Sequence, residues 1–331
     1  MTMDSTPRTV RRRALVVASA VGSLLPRIAL AQVRYPERPI TLIVPFAPRG
    51  IADLTARAVA ESMAQTLGQP VAVENRPSAG SIVGSKAVAA AKPDGYTLLL
   101  MSNSNAVSVS LFKKLPYDTQ KDLMPVSTLG FFDLGVFVPA ASRFASLTGL
   151  LQFARQHPGA LKAGTISIGS TQHLAAQLFQ SVARVELLTV PYKASGDVVV
   201  ALRSGQIDLA FEIVGPMVPQ VRAGAIRLLA VTGERPNPAL PAVPTAQQAG
   251  LGGYHVESWN AIAAPAGTPA AVIERLNVAV RQALAAPKLR AVLEPVGVRL
   301  QASTPEQASA LLASEITRWG DVMRLARIVP Q

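Results

Sequence analysis

The stretch Val44-Pro45-Phe46-Ala47-Pro48-Arg49-Gly50-Ile51-Ala52-Asp53 joins two unlike segments. Before it, Ile40-Thr41-Leu42-Ile43-Val44 is a short, nearly continuous apolar run, the pattern of a strand buried on both faces. After it, residues 53–67 place apolar side chains at helical spacing. A buried strand that turns tightly into a helix is the first half of a β-α-β unit, and such units build parallel sheets covered by helices. The turn is stiff, because Pro45 and Pro48 each fix a backbone angle. Phe46 is placed to form an apolar wall, and Gly50 allows positive φ or close approach of backbone to a ligand. Asp53 is suited to cap the helix.

The alternation continues along the chain. Residues 71–74 read as a strand, 80–91 as a helix and 96–101 as a strand. A second series follows: strand 134–138, helix 147–156, strand 164–168, helix 172–182, strand 187–190, helix 197–204, and strands 209–211 and 228–231. Thr268 as N-cap with Pro269 at the first helical position opens a helix to about residue 284. Thr304-Pro305-Glu306-Gln307 is a capping box that opens the last helix. The expected fold class is α/β with two lobes, each a mainly parallel sheet flanked by helices. The chain is expected to cross between lobes near 130–133 and 257–261. Residues 32–131 with 260–331 then form one lobe and 132–259 the other, with the C-terminal helices returning to the first. Two crossings predict a hinge, with a ligand held in the cleft between lobes.

The N-terminus has a different character. Arg8, Arg11, Arg12 and Arg13 precede an apolar stretch over 14–25, and Ala29-Leu30-Ala31 supplies a small-x-small cleavage site. That is the layout of a secretory signal over residues 1–31, with the mature chain starting at Gln32 and residing in the periplasm. A short buried or anchoring helix is the alternative. Arg12-Arg13 also fits loosely to a twin-arginine signal. No later apolar run is long and uncharged enough to span a bilayer. The formal charge is +12, of which the leader's five Arg and one Asp carry +4, leaving +8 on the mature chain. That excess is dispersed, with no basic run and no interleaved aromatics, which argues against nucleic-acid binding.

Chemistry is sparse. Without any Cys, disulfides, thiolate metal sites and a Cys nucleophile are excluded. His157, His173 and His255 lie far apart, and none has metal-ligand spacing with another His or a carboxylate. The sequence lacks a Gly-x-Ser-x-Gly elbow, a Gly-x-Gly-x-x-Gly loop and a phosphate loop. The sequence therefore predicts no catalytic residue, metal or cofactor. Gly169-Ser170-Thr171-Gln172-His173 brings hydroxyls near an imidazole, but a hydrolase also needs an orienting carboxylate and an oxyanion hole. What recurs is a strand-to-helix turn of small and hydroxyl residues: 45–53, 102–105, 169–171 and 191–196. Ligands of parallel α/β sheets bind beyond the carboxyl ends of strands, where helix N-termini offer unpaired N–H groups to an anion.

Several motifs carry a resemblance. They are Tyr35-Pro36-Glu37-Arg38-Pro39-Ile40, Val44-Pro45-Phe46-Ala47-Pro48, Val73-Glu74-Asn75-Arg76-Pro77 and Lys92-Pro93-Asp94-Gly95-Tyr96-Thr97-Leu98-Leu99. In order after them come Leu115-Pro116-Tyr117-Asp118, Val190-Pro191-Tyr192-Lys193, Leu240-Pro241-Ala242-Val243-Pro244-Thr245 and Ala264-Pro265-Ala266-Gly267-Thr268-Pro269. Together they resemble the solute receptors of tripartite tricarboxylate transporters, the Bug-type periplasmic binding proteins. The resemblance implies a type II-like, two-lobed periplasmic binding fold for organic carboxylates, with one carboxylate held by backbone N–H groups, hydroxyls and waters. Carried over by motif, the ligand-binding candidates are Phe46, Ala47, Pro48, Arg49, Gly50 and Asp53 from the first turn, and Ser102 and Asn103 from the second. Gly169, Ser170, Thr171 and His173 follow from the third, Tyr192, Lys193 and Ser195 from the fourth, with Phe211 and Glu212 beyond them. Three departures bear on the ligand: Arg49 stands where a Gly is usual, Ala194 replaces the Gly after Tyr-Lys, and Glu212 stands where Asp is common. Arg49 is either a solvated surface residue or a bidentate partner for a second carboxylate.

The function so implied is capture of a small organic carboxylate (di- or tricarboxylate, acidic amino acid or aromatic acid) by a monomer that delivers it to inner-membrane permease subunits. Presentation of the loaded receptor to a membrane sensor uses the same site, and an α/β hydrolase of unusual pattern is the third reading.

Overall fold

The computed structural model describes residues 1–3, 35–325 and 328–331. The leader, apart from its first three residues, the cleavage point after Ala31 and the start at Gln32 lie outside the described residues. The strands are β1 Ile40–Val44, β2 Val71–Asn75, β3 Thr97–Ser102, β4 Leu123–Pro139, β5 Lys162–Ile166, β6 Leu188–Tyr192, β7 Leu209–Ile213, β8 Ile226–Val231, β9 Glu257–Pro265 and β10 Val298–Leu300. The helices are α1 Ile51–Leu67, α2 Ile82–Ala89, α3 Asn103–Leu111, α4 Leu147–Gln156, α5 Thr171–Ala183, α6 Ser195–Arg203, α7 Val214–Arg222, α8 Ala270–Ala285, α9 Pro287–Leu293 and α10 Pro305–Leu325. Among the described residues no helix is long and apolar enough to cross a membrane.

The expected alternation is present, with shifted ends. Helix α1 starts at Ile51 rather than at residue 53 and stops at Gly68, whose left-handed backbone and N–H to the Ala64 carbonyl close the last turn. The expected helix 80–91 is split: a 3-10 turn over Ala79–Ser81 has Gly80 and Ser81 both at positive φ, and α2 begins only after it. Helix α3 follows the strand-to-helix turn expected at 102–105, whereas α7 was not expected, since its internal Pro219 disguises the period. Thr268 does not cap α8; Pro269 occupies that position, and the Thr268 hydroxyl donates to the Pro265 carbonyl at 2.7 Å. The capping box at α10 does form. Gln307 N–H donates to Thr304 Oγ1 at 3.2 Å, and Thr304 N–H donates to Gln307 Oε1 at 3.0 Å.

β1 lies between β2 and β3, parallel to both, and is buried as its apolar run demands. β5 lies between β6 and β7, again parallel to both. Between these two parallel groups run the antiparallel strands β9 and β4, giving the order β2-β1-β3-β9-β4-β7-β5-β6 with β8 and β10 also on β4. The strand expected at 134–138 is thus the second half of a 17-residue strand. The first half of β4 pairs with β9 and the second half with β7 and β8, so the partner changes at Asp133–Leu134. The C-terminal helices return over the β1 end. Arg275 on α8 donates to the Thr66 carbonyl of α1 at 2.8 Å, and Glu315 on α10 accepts from Asn103 of α3 at 3.1 Å.

Candidate functional site

One cavity lies beyond the carboxyl ends of β1, β3, β5, β6 and β7, where parallel strands hand over to helices. Phe46, Ala47, Gly50, Ile51 and Ala52 line it from the first turn and the start of α1, and Ser102 from the end of β3. Ile166 and Ser167 line it from the end of β5, Thr171 and Gln172 from α5, Lys193, Ala194 and Ser195 from the start of α6, and Ile213 from the end of β7. Phe132 on β4 and Ser258 and Asn260 on β9 complete it. Phe132 and Ser258 are paired across the two antiparallel strands, which explains why they arrive together. Lys193 is the one charged side chain in this set.

The helix starts around the cavity fall into two kinds. Ser102 caps α3, its hydroxyl oxygen accepting from Ser104 N–H at 3.2 Å while Asn105 Oδ1 accepts from Ser102 N–H at 3.0 Å. Ser170 caps α5, accepting from His173 N–H at 3.1 Å and donating to the Ile166 carbonyl at 3.0 Å. By contrast, the N-caps of α1 and α6 are Gly50 and Ala194, and neither helix start has a side-chain cap. The first-turn N–H groups of an α-helix have no intrahelical partner. At α6 the Asp197 N–H turns back to the Ala194 carbonyl at 3.1 Å, and the remaining first-turn N–H groups of α1 and α6 are left as donors at a positive dipole end, next to the cavity.

The turn from Val44 to Asp53 is held from behind. Asp53 is buried, and its carboxylate accepts from Arg49 N–H at 2.9 Å, from Arg57 Nε at 3.1 Å and from Asn75 Nδ2 at 2.9 Å. Asn75 Nδ2 also donates to the Phe46 carbonyl at 3.1 Å. Burial would raise the pKa of Asp53, but these hydrogen bonds and the Arg57 charge hold it below the ordinary value. Asp53 thus positions the turn and does not line the cavity. Gly50 has φ −84, so positive φ is not the reason for that glycine. The left-handed residue is Arg49, at φ 69. This gives a physical reason for Gly to be usual there. Arg49 and Pro48 are exposed and lie outside the lining.

Other expected contacts are placed behind the surface. Asn103 is fully buried, donating to the Glu257 carbonyl and to Glu315 while accepting from Trp259 N–H at 2.9 Å, so it ties α3 to β9 and α10. Gly169, at φ 81, accepts from the Ser104 hydroxyl at 2.9 Å, and a Cβ there would sit 3.1 Å from Gly80 Cα. Its role is close backbone approach. His173 is buried, which pushes its pKa down to about 4 and keeps the imidazole neutral. Ser170 meets the His173 backbone N–H, not the imidazole, so the Ser-His pair a hydrolase needs is not formed there. Tyr192 ends β6 half-buried, and Phe211 is fully buried with its ring edge against Phe179. Glu212 is buried directly beneath the lining, accepting from Gln172, Ser195 and Ile213 N–H. Burial pushes its carboxyl up to about 7 in spite of those hydrogen bonds.

Ala194, expected to bear on the ligand, lines the cavity; the lining residues not anticipated are Ile51, Ala52, Phe132, Ile166, Ser167, Gln172, Ile213, Ser258 and Asn260. Of these, Ile51 and Ala52 lie within the 45–53 turn, and Ser258 and Asn260 carried a signal as polar residues alternating within an apolar segment at an expected lobe crossing.

The model of the tripartite tricarboxylate transporter family receptor matches residues 55–327. Three solved structures are similar over nearly their full length. The periplasmic binding protein BugD has a TM-score of 0.85 at 30% identity, covering 90% of this chain and 100% of its own. Rpa4515 of R. palustris, solved with adipate, has a TM-score of 0.85 at 31% identity, covering 90% and 100%. MatC from Rhodopseudomonas palustris, solved with bound malate, has a TM-score of 0.81 at 33% identity, covering 87% and 99%. The described chain has their fold, a mixed α/β periplasmic binding protein fold. With its strand-end cavity and the family match over most of its length, the protein belongs to the tripartite tricarboxylate transporter receptors, a family of solute-binding proteins.

Proposed function

We propose that the protein captures a small organic carboxylate in this cavity, as a periplasmic monomer, and delivers it to inner-membrane permease subunits. The observation that carries this reading is the pair of helix starts, α1 and α6, whose N-caps leave first-turn N–H groups without side-chain partners beside the cavity. The relatives solved with adipate and malate support the ligand class. We assign residues 32–131 with 260–331 to one lobe and 132–259 to the other, with the hinge where β4 changes partners. Closure of the lobes would shield the hydrogen bonds to the ligand from water. Phe46, Ala47, Gly50, Ser102, Thr171, Lys193 and Ser195 are the contacts from the expected set that line the cavity. Asp53, Asn103, Gly169, Ser170 and Glu212 support them from behind. Micromolar affinity needs about 8 kcal/mol, which several charge-assisted hydrogen bonds at about 1.5–3 kcal/mol each can supply before ordering costs. A calorimetric screen of mono-, di- and tricarboxylates against the mature protein should find saturable binding with one ligand per chain. No binding by any carboxylate would overturn the assignment.

A further inference from the structure

We propose, resting on the reading of this cavity as a carboxylate site, that it selects a ligand bearing a hydrogen-bond donor, a hydroxyl or ammonium group, besides its carboxylates, and that Glu212 sets this preference. Glu212 sits on β7 with 1% exposure, and three groups converge on its Oε2. Ile213 N–H donates to it at 3.2 Å, Gln172 Nε2 at 3.2 Å and the Ser195 hydroxyl at 3.1 Å. Glu212 Oε1 is buried without a protein partner.

The consequence lies in what the two cavity residues have left to offer. A serine hydroxyl has one proton, and Ser195 spends it on Glu212, so toward the cavity its oxygen only accepts. A glutamine amide has a donor end and an acceptor end, and Gln172 turns the donor end to Glu212. Both residues line the cavity. This part of the wall therefore presents the acceptors Ser195 Oγ and Gln172 Oε1, while the backbone at the starts of α1 and α6 presents N–H donors. The pattern does not need an ionised Glu212: burial pushes its pKa up to about 7, and a proton on Oε1 leaves Oε2 an acceptor. A carboxylate fits the N–H groups, but at Ser195 Oγ it would meet only lone pairs, and at Gln172 the acceptor Oε1 beside the one amide N–H not spent on Glu212. A hydroxyl or ammonium group there satisfies them, and a site built to hydrogen-bond such a group discriminates against the analogue that lacks it. The preference is specific to this chain and not implied by the family, since one relative was solved with malate, which has a hydroxyl, and another with adipate, which has none.

Titration calorimetry tests this with pairs that differ by one hydroxyl: malate against succinate, and 2-hydroxyglutarate against glutarate. The wild type should bind the hydroxylated member of at least one pair about tenfold tighter, the order expected of one or two hydrogen bonds. Ser195→Ala and Gln172→Leu each remove an acceptor and should shrink that ratio to about threefold or less, whatever either does to the absolute affinity for the unsubstituted diacid. Glu212→Gln keeps an oxygen for Ile213 N–H and should preserve the ratio. Glu212→Leu frees both donors and should favour the unsubstituted diacid, with its fold checked by thermal melting. Equal binding of both members of each pair by the wild type overturns the proposal. So does an unchanged ratio in both Ser195→Ala and Gln172→Leu. Diacids bound without preference overturn the selectivity alone, whereas binding of no carboxylate overturns the reading of the cavity as well.

Discussion

Helices α5 and α6 begin at the same cavity, yet one start is closed and the other open. At α5, Ser170 accepts from His173 N–H, so a donor is consumed inside the protein. At α6, Ala194 occupies the same position and has no side-chain acceptor, so only Asp197 N–H is taken up, by the Ala194 carbonyl at 3.1 Å. Helices α3 and α1 repeat the contrast, with Ser102 capping the first and Gly50 leaving the second uncapped. A side-chain cap and a bound anion compete for the same orphan N–H groups. The closed starts hold the scaffold, and the open ones are left to the ligand. Leaving a start uncapped forgoes about 1 kcal/mol of stability at Ala194 and roughly a few tenths at Gly50, which an anion bound there can restore.

The largest test removes a donor from an open start. Ile51 is the first residue of α1, and Gly50 before it is extended (φ −84, ψ 172), so Ile51→Pro fits the backbone while deleting one N–H. If that N–H meets a carboxylate, the loss is one charge-assisted hydrogen bond, about 1.5–3 kcal/mol or roughly 10- to 150-fold in affinity. Calorimetry with the best carboxylate should show this with the melting temperature nearly unchanged. Unaltered affinity would mean that the open start of α1 is not the anion site.

A closed start should respond the other way. Ser170→Ala deletes the cap of α5 and should cost about 1 kcal/mol of stability in chemical denaturation, with carboxylate affinity moving less than about threefold. A tenfold loss of affinity at unchanged stability would place Ser170 in direct contact with the ligand and erase the distinction.

The smallest effect concerns Arg49. Its left-handed backbone at φ 69 costs roughly 1–2 kcal/mol for a side chain with a Cβ, and Gly removes that cost while adding unfolded-state entropy of about 0.5–1 kcal/mol. Arg49→Gly should therefore stabilise the fold by no more than about 1 kcal/mol, visible as a small rise in melting temperature. Because Arg49 is exposed and outside the lining, affinities for a dicarboxylate and its monocarboxylate analogue should move equally or not at all. Selective loss of the dicarboxylate would show that the guanidinium reaches the bound ligand.

The turns of the cavity were legible because each is a local event. Val44 to Asp53 announces a buried strand, a stiff corner and a helix through residue type and period alone. The same holds for Ser102, Thr171 and Ser195, whose small or hydroxyl side chains mark strand-to-helix turns. The floor was less legible. Phe132, Ser258 and Asn260 lie on β4 and β9, and nothing local says that strands more than a hundred residues apart pair antiparallel and carry them to the same place.

Order along the chain was enough to fix the class of fold and the family, since periodicity, caps and motif sequence are properties of neighbouring residues. Roles at the cavity needed the packed molecule. Asp53, Asn103, Phe211 and Glu212 belong to the right segments, but a side chain faces a ligand or a neighbour according to which donors and acceptors surround it after folding. Arg49 sits in the most telling turn of the sequence and still points to solvent, while Gln172, beside the motif residues, reaches the cavity. Hydrogen-bond partners are assigned across elements distant in sequence, and for that reason the direction of a side chain was settled by tertiary contacts.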